Sequence, residues 1–364
     1  MPQRRHLTAV ILAAGEGSRM LSDRPKPLHF LCGRPMLMYV LDSVRGADPD
    51  RAVIVVGHKA DLVTAKISSV ETGMPIEFRT QAQQRGTGDA AMAGLVGIED
   101  PDDDGDVIVL PGDAPLLRAE TVEALVEHHR TSGAAATVLT AELPDPTGYG
   151  RILRGRDSRV ARIVEQGDAT DEELELTEVN TSVYVFRQSL LVPSLRRLQP
   201  DNSQGEYYLT DVVSVLATAG HPVESMVAPD PLETAGVNDR LQLAQAEAEL
   251  RRRTNERLQR NGVTMLDPAA TYVDTTVDVG RDVTLFPGVI LQGDTMVGEG
   301  TEIGPGSRLV DCSIGSGCIL ESTTARRATV GDDSVVGPYA VLAEGTKLPD
   351  RTITGPFYTS GAES

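Results

Sequence analysis

"VILAAGEGSRM", residues 10–20, runs from an apolar, β-branched stretch into a loop holding two glycines and ends beside a cation. An apolar run this short, followed directly by glycine, reads as a buried strand that ends where the backbone turns tightly or approaches another group. Gly15 and Gly17 permit positive φ and close approach, so backbone N–H groups can converge on an anion such as a nucleotide phosphate. Arg19 then stands where it can meet that charge. The preceding "MPQRRH" imitates the basic start of a signal peptide, but "EGSRM" is a poor cleavage region and the segment reads as a first strand.

Outward from this stretch, residues 7 to about 237 alternate strand-like and helical patterns. "AVIVVG" (52–57), "DVIVLPGD" (106–113), "ATVLTAEL" (136–143) and "SVYVF" (182–186) are strand-like, while "PMLMYVLDSVRG" (35–46) and "AETVEALVEHHRTSG" (119–133) are helical. This alternation predicts an α/β, Rossmann-like domain with a mostly parallel sheet covered on both faces. The ligand site of such a sheet lies beyond the carboxyl ends of its strands. At Asp239 the texture changes: "DRLQLAQAEAELRRRTNERLQRNG" (239–262) contains strong helix formers and stops at glycine, with Leu243, Leu250 and Leu258 near one stripe.

Beyond that helix an aliphatic residue recurs every sixth position: Val273, Val279, Leu285, Leu291, Val297, Ile303 and Leu309. After a slip the repeat resumes at Ile314 and Leu320, then at Val330, Val336, Leu342 and Leu348. Hexapeptide periodicity predicts a short left-handed parallel β-helix of about four coils, each aliphatic pointing into a triangular prism. The expected layout is the α/β domain at 1–238, a connecting helix at 239–262, the β-helix at 263–355 and a tail at 356–364.

A chain of 364 residues suits two domains, and its formal charge of −19 argues against a nucleic-acid or anionic-membrane partner. No segment is long enough to span a membrane. Cys32, Cys312 and Cys318 have neither disulfide nor metal spacing and fit a reducing cytoplasm. A phosphate ligand therefore needs a local basic pocket against an acidic background. Lys26, in "RPKPLHFLCGRPML" (24–37), supplies a second cation, whereas the Walker A order and the dinucleotide fingerprint are both absent. Asp113 at a strand end reads as a turn cap or a metal ligand, and Asn238 as the N-cap of the long helix or a ligand.

Nine stretches occur in order: "LAAGEGSRM", "RPKPLHFLCGRPML", "QAQQRGTGDA", "LPGDAPLL", "DPTGYGRIL", "IVEQGDATDEE", "EVNTSVYVF", "QGEYYLTDVV" and "AGVNDRLQLA". Together they resemble the uridylyltransferase domain of the bifunctional N-acetylglucosamine-1-phosphate uridylyltransferase / glucosamine-1-phosphate acetyltransferase family, and the hexapeptide repeat resembles the start of that family's second domain. The resemblance implies that Leu12, Ala13, Ala14 and Gly15 form the nucleotide-approach loop and that Arg19 and Lys26 carry the phosphate charge. It assigns the uracil to Gln81, Gly86 and Thr87, and the sugar to Gly150, Glu165 and Asn180, with Tyr208 and Thr210 nearby. Gly112 joins the substrate set. Asp113 and Asn238 become the ligands of Mg²⁺, Asn238 facing substrate as well. The implied reaction is uridylyl transfer from UTP to N-acetylglucosamine 1-phosphate, with the β-helix building a homotrimer.

Departures from the family bear on the rest. Val341 stands where the family carries an arginine, and the Lys, His and Tyr positions that follow have no counterpart before Ser364, so acetyl transfer is not expected. "TITGPFYTSGAES" falls out of the repeat and reads more as a natural terminus, with a shortened chain as the alternative. Pro111 and "PKPL" leave glucose 1-phosphate, or dTTP as donor, as alternatives. A catalytically silent assembly subunit is the reading from another class.

Overall fold

The computed structural model describes residues 5–97 and 105–361. They form two compact units: residues up to His29 with Pro35–Leu243, and Phe30–Arg34 with the chain from Ala244 onward.

The first unit is built on a nine-stranded sheet. Its strands are β1 (Leu7–Ala13), β2 (Arg51–Val56), β3 (Ile76–Thr80), β4 (Asp106–Pro111), β5 (Ala136–Glu142), β6 (Arg151–Arg154), β7 (Val160–Val164), β8 (Glu178–Arg187) and β9 (Val223–Val227). The order is β9-β5-β8-β4-β1-β2-β3, with the β6–β7 hairpin joined to β8. The pairs β1–β2, β2–β3, β1–β4 and β5–β9 are parallel, and β8 runs antiparallel to both neighbours. Along β1 the side chains alternate between two separate cores: Val10 joins Val53 and Val109 on one face, Ile11 joins Ile54 and Leu110 on the other. Helices cover both faces, so the central strands are apolar at nearly every position. The chain winds outward from β1 through β2 and β3, then returns to place β4 on the other side of β1. That reversal opens a crevice at the carboxyl ends of β1 and β4.

A 21-residue helix spans Arg240–Arg260, and Gly262 follows at φ +99°. The second unit contains three five-stranded parallel sheets, whose strands are two or three residues long. It is a left-handed parallel β-helix. One face stacks Met265, Leu285, Ile303, Leu320 and Val336 in register. Five rungs per face exceed the four coils that the hexads suggested, because Met265 and Ala325 hold inward positions outside the aliphatic phase. Pairing also runs past residue 355: Val341 donates its N–H to the Tyr358 carbonyl at 2.8 Å and bridges Thr359. The expected tail is thus partly ladder, since an open rung leaves backbone groups that the next segment can satisfy; residues 362–364 lie outside the described residues. Thr295, Thr301 and Ser307 are buried at the corners and accept from the N–H groups of Cys312, Cys318 and Thr323 on the next coil. All three cysteines are buried, and none is in a disulfide. No helix among the described residues is long and apolar enough to cross a membrane.

Candidate active site

The carboxyl ends of β1 and β4 stay in register to the edge of the crevice, where Gly112 donates to the Leu12 carbonyl at 2.8 Å. This sets Asp113 beside the loop that follows β1. The crevice is a cavity of about 560 Å³ in the first unit.

Of the nucleotide-loop residues, Leu12, Ala13, Ala14 and Gly15 line the cavity, with Arg19 exposed on its wall. The two glycines differ from the expected reading. Gly17 alone has positive φ, and a Cβ there would lie 2.8 Å from the Cβ of Lys26, so glycine clears the path of the lysine. Gly15 has ordinary φ and nothing within 4 Å of a built Cβ, so it is open to a ligand without special backbone geometry.

Lys26 reaches into the cavity, where its ammonium pairs with Asp113 and donates to Asn238 Oδ1 at 2.8 Å. The backbone draws these partners together, since Val237 donates to the Asp113 carbonyl at 2.8 Å. Asn238 is not the N-cap of the long helix. Asp239 holds that place, accepting from Gln242 N–H at 2.8 Å, while the Gln242 side chain accepts from Asn238 N–H at 2.7 Å. Gln242 thus reaches one residue past the cap; the two bonds satisfy the helix start and hold the backbone of Asn238, which lines the cavity. A carboxylate and an amide oxygen gathered around a cation are a hard-oxygen donor set, and they fit Mg²⁺, which keeps waters and takes substrate phosphates as further ligands.

At one end of the cavity Gln81 is 6% exposed. Its amide nitrogen lies 3.1 Å from the Gly86 carbonyl and 2.8 Å from Asp89 Oδ2. Two acceptors around one end fix the amide orientation and leave its oxygen for the cavity. Gly86 lines the wall at φ +107°, where a Cβ would lie 2.6 Å from the Tyr207 carbonyl. Thr87 accepts from Leu209 N–H at 3.0 Å, locking the 206–210 loop against this end.

Glu165, Asn180 and Thr210 also line the cavity. The Thr210 hydroxyl donates to Glu165 Oε1 at 3.1 Å. Burial pushes the Glu165 carboxyl above its ordinary range, and the charges of Asp211 and Asp168 push the same way against the Thr210 hydrogen bond. Two expected residues do not line the cavity. Gly150 lies against Glu165, where a Cβ would meet Oε2 at 3.3 Å. Tyr208 is buried at 7% exposure and lies outside the wall.

Several wall residues were not singled out from the sequence. Gln84 donates to the Ala14 carbonyl at 2.6 Å and so braces the loop after β1. Tyr149 is held above its ordinary phenol range by burial and by the charge of Asp113. Ser182, Tyr184 and Gln242 also face the cavity. Only Gln242 carried a local sign, its spacing of three from Asp239 being that of a reciprocal cap.

Residues 9–222 match the family model of the MobA-like NTP transferase domain. The bifunctional protein GlmU of Streptomyces avermitilis is 45% identical over 354 residues, covering 97% of this chain and 73% of the relative. That of Mycolicibacterium vanbaalenii is 46% identical over 355 residues, covering 97% and 72%. A solved UDP-glucose pyrophosphorylase complexed with UDP-glucose superposes with a TM-score of 0.55 at 15% identity, over 68% of this chain and 99% of that one, a likeness of fold. With identity at this level along almost its whole length, the chain belongs to the GlmU family, and its first unit carries that family's nucleotidyltransferase domain.

Proposed function

We propose that the chain transfers a uridylyl group from UTP to N-acetylglucosamine 1-phosphate, releasing pyrophosphate and forming UDP-N-acetylglucosamine. The observation that carries this reading is the gathering of Lys26, Asp113 and Asn238 in one cavity whose wall also carries Gln81, Gly86 and Thr87 and the polar set Glu165, Asn180 and Thr210. In this reading Gln81, Gly86 and Thr87 hold the uracil, and the triphosphate crosses Gly15 toward Arg19 and Lys26. Glu165, Asn180 and Thr210 hold the sugar. A phosphate oxygen of the sugar phosphate attacks the α-phosphorus of UTP in line, and the bond to the β-phosphate oxygen breaks.

Both reactants are anions, so alignment and charge neutralisation dominate the barrier, and no protein nucleophile is required. Lys26 and Arg19 supply fixed positive charge to the phosphates, and the loop backbone keeps them in line. Asp113 and Asn238 would hold Mg²⁺, which when bound supplies Lewis-acid charge stabilisation at phosphate oxygens. Pyrophosphate release from UTP across a panel of sugar 1-phosphates, with and without EDTA, tests this. Turnover with N-acetylglucosamine 1-phosphate that stops in EDTA is expected; preference for glucose 1-phosphate or dTTP would reassign the substrate, and no turnover would favour a silent assembly subunit.

The β-helix serves assembly in the same reading. Ile319, Val335 and Ile353 stack in one outward column at 40%, 37% and 79% exposure, an apolar strip suited to packing against another prism. Three prisms around one axis close without leaving an open face. Val341, an exposed aliphatic, offers no charge where the family carries an arginine, so no acetyl-CoA is consumed in this proposal. Light scattering at micromolar concentration is expected to give a trimer, and incubation with glucosamine 1-phosphate and acetyl-CoA to release no CoA.

A further inference from the structure

β8 leaves its ladder inside the cavity. Asn180 pairs with Thr140 and Val183 with Leu139, so Thr181 and Ser182 are extra residues on one strand. Bulges of this kind re-aim side chains beside active sites. Thr181 is buried and anchors the bulge by donating its hydroxyl to the Leu139 carbonyl at 2.7 Å. Ser182 is exposed on the cavity wall, and its N–H donates to Asn180 Oδ1 at 3.1 Å.

The backbone of Ser182 sits at φ +62°. A residue with a Cβ is strained there and glycine is not. Among the described residues that line the cavity, Ser182 is the only non-glycine in this region, which Gly86 and Gly148 occupy freely. Glycine would serve the bulge better, so the strain is kept for what the serine adds: one hydroxyl, a donor and an acceptor, on an exposed residue of the cavity wall. The Tyr184 hydroxyl lies beside the side chains of Asn180 and Ser182 and links the bulge to the buried core. On the strand alongside, Pro111 also lines the cavity; it and Ser182 each stand two residues beyond the Tyr184–Val109 pair. The hydroxyl thus joins Asn180 in the part of the wall assigned to the acceptor.

We propose that Ser182 is a specificity-determining residue for the acceptor, its hydroxyl hydrogen-bonding a polar substituent on the sugar ring of the sugar phosphate. This rests on the reaction proposed above. Ser182→Gly removes the hydroxyl and the backbone strain together. It is expected to melt higher than wild type and to keep the KM for UTP. Its kcat/KM for N-acetylglucosamine 1-phosphate falls about tenfold, the size of one lost hydrogen bond, and the ratio of that value to the one for glucose 1-phosphate changes. Ser182→Ala keeps the Cβ and is expected to lose the same acceptor term without melting higher. A Ser182→Gly enzyme with wild-type acceptor constants overturns the assignment. Should wild type turn over no sugar 1-phosphate, the reaction reading fails by itself. The Ser182 assignment is then read by calorimetry with N-acetylglucosamine 1-phosphate, where tenfold weaker binding by Ser182→Gly upholds it and equal binding overturns it.

Discussion

The ammonium of Lys26 donates to Oδ1 of Asn238 at 2.8 Å across 212 residues of sequence, and it is ion-paired with Asp113 at the same time. Three separate loops, after β1, after β4 and before the long helix, therefore converge on one positive charge. Backbone bonds from Val237 to the Asp113 carbonyl and from Asn238 N–H to Gln242 bring the two residues to this point, and Lys26 then joins the carboxylate to the amide oxygen.

Removal of either charge is expected to cost turnover and not folding. Lys26→Ala and Asp113→Ala should each lower kcat by about a hundredfold or more, the typical value of a preorganised contact to transferring charge. Because the two groups are paired, the double variant should lose less than the product of the single losses. Steady-state kinetics beside thermal melts check this; a single variant at wild-type rate removes that residue from the site.

Glu165 gives the site a pH dependence. Folding raises its pKa through burial and neighbouring carboxylates, so the folded chain binds this proton more tightly than the unfolded chain. Its stabilising contribution is therefore full below the unfolded value and is lost as pH rises through the folded one. Glu165→Gln is expected to melt above wild type at neutral pH and to lose that advantage in acid. If the carboxylate binds the sugar as an acceptor, wild-type activity should also fall in acid with a midpoint above the usual glutamate range, and a melt and rate series from pH 4 to 8 would show both limbs.

Gly86→Ala should damage the proposed base end. At φ +107° a Cβ would press on the Tyr207 carbonyl at 2.6 Å and the Tyr207 nitrogen at 2.9 Å, both backbone atoms without freedom to move aside. A loss of about 2 kcal/mol or more is expected, with a raised KM for UTP and a smaller effect on the sugar phosphate. Denaturant titration and separate KM values for the two substrates distinguish this from a general defect.

Asp239→Ala tests the helix cap. Losing the bond to Gln242 N–H should cost about 1 kcal/mol, and Asn238 should lose part of its orientation through Gln242. The expected result is a small drop in melting temperature with a larger loss in kcat. A fall in stability without any kinetic change would separate Asn238 from the chemistry.

The sequence by itself determined what repeats at short range. Alternating apolar strands and helices specified a mostly parallel sheet with its site at the strand ends, and the six-residue aliphatic phase specified a parallel β-helix, because backbone geometry converts such periods directly into buried faces. Only the tertiary structure decided which side chains meet. Asn238 rather than Asp239 looked like the helix cap, since both suit the role and only their different bonds to Gln242 separate them. The positive φ of Gly17 clears the path of Lys26, a clearance hidden in the sequence because it depends on a neighbour placed by the fold. The fifth rung of the prism was hidden for the same reason, Met265 and Ala325 being placed by ladder pairing and not by the period. The strain at Ser182 follows from a bulge between β8 and β5, and a bulge exists only once two strands are paired.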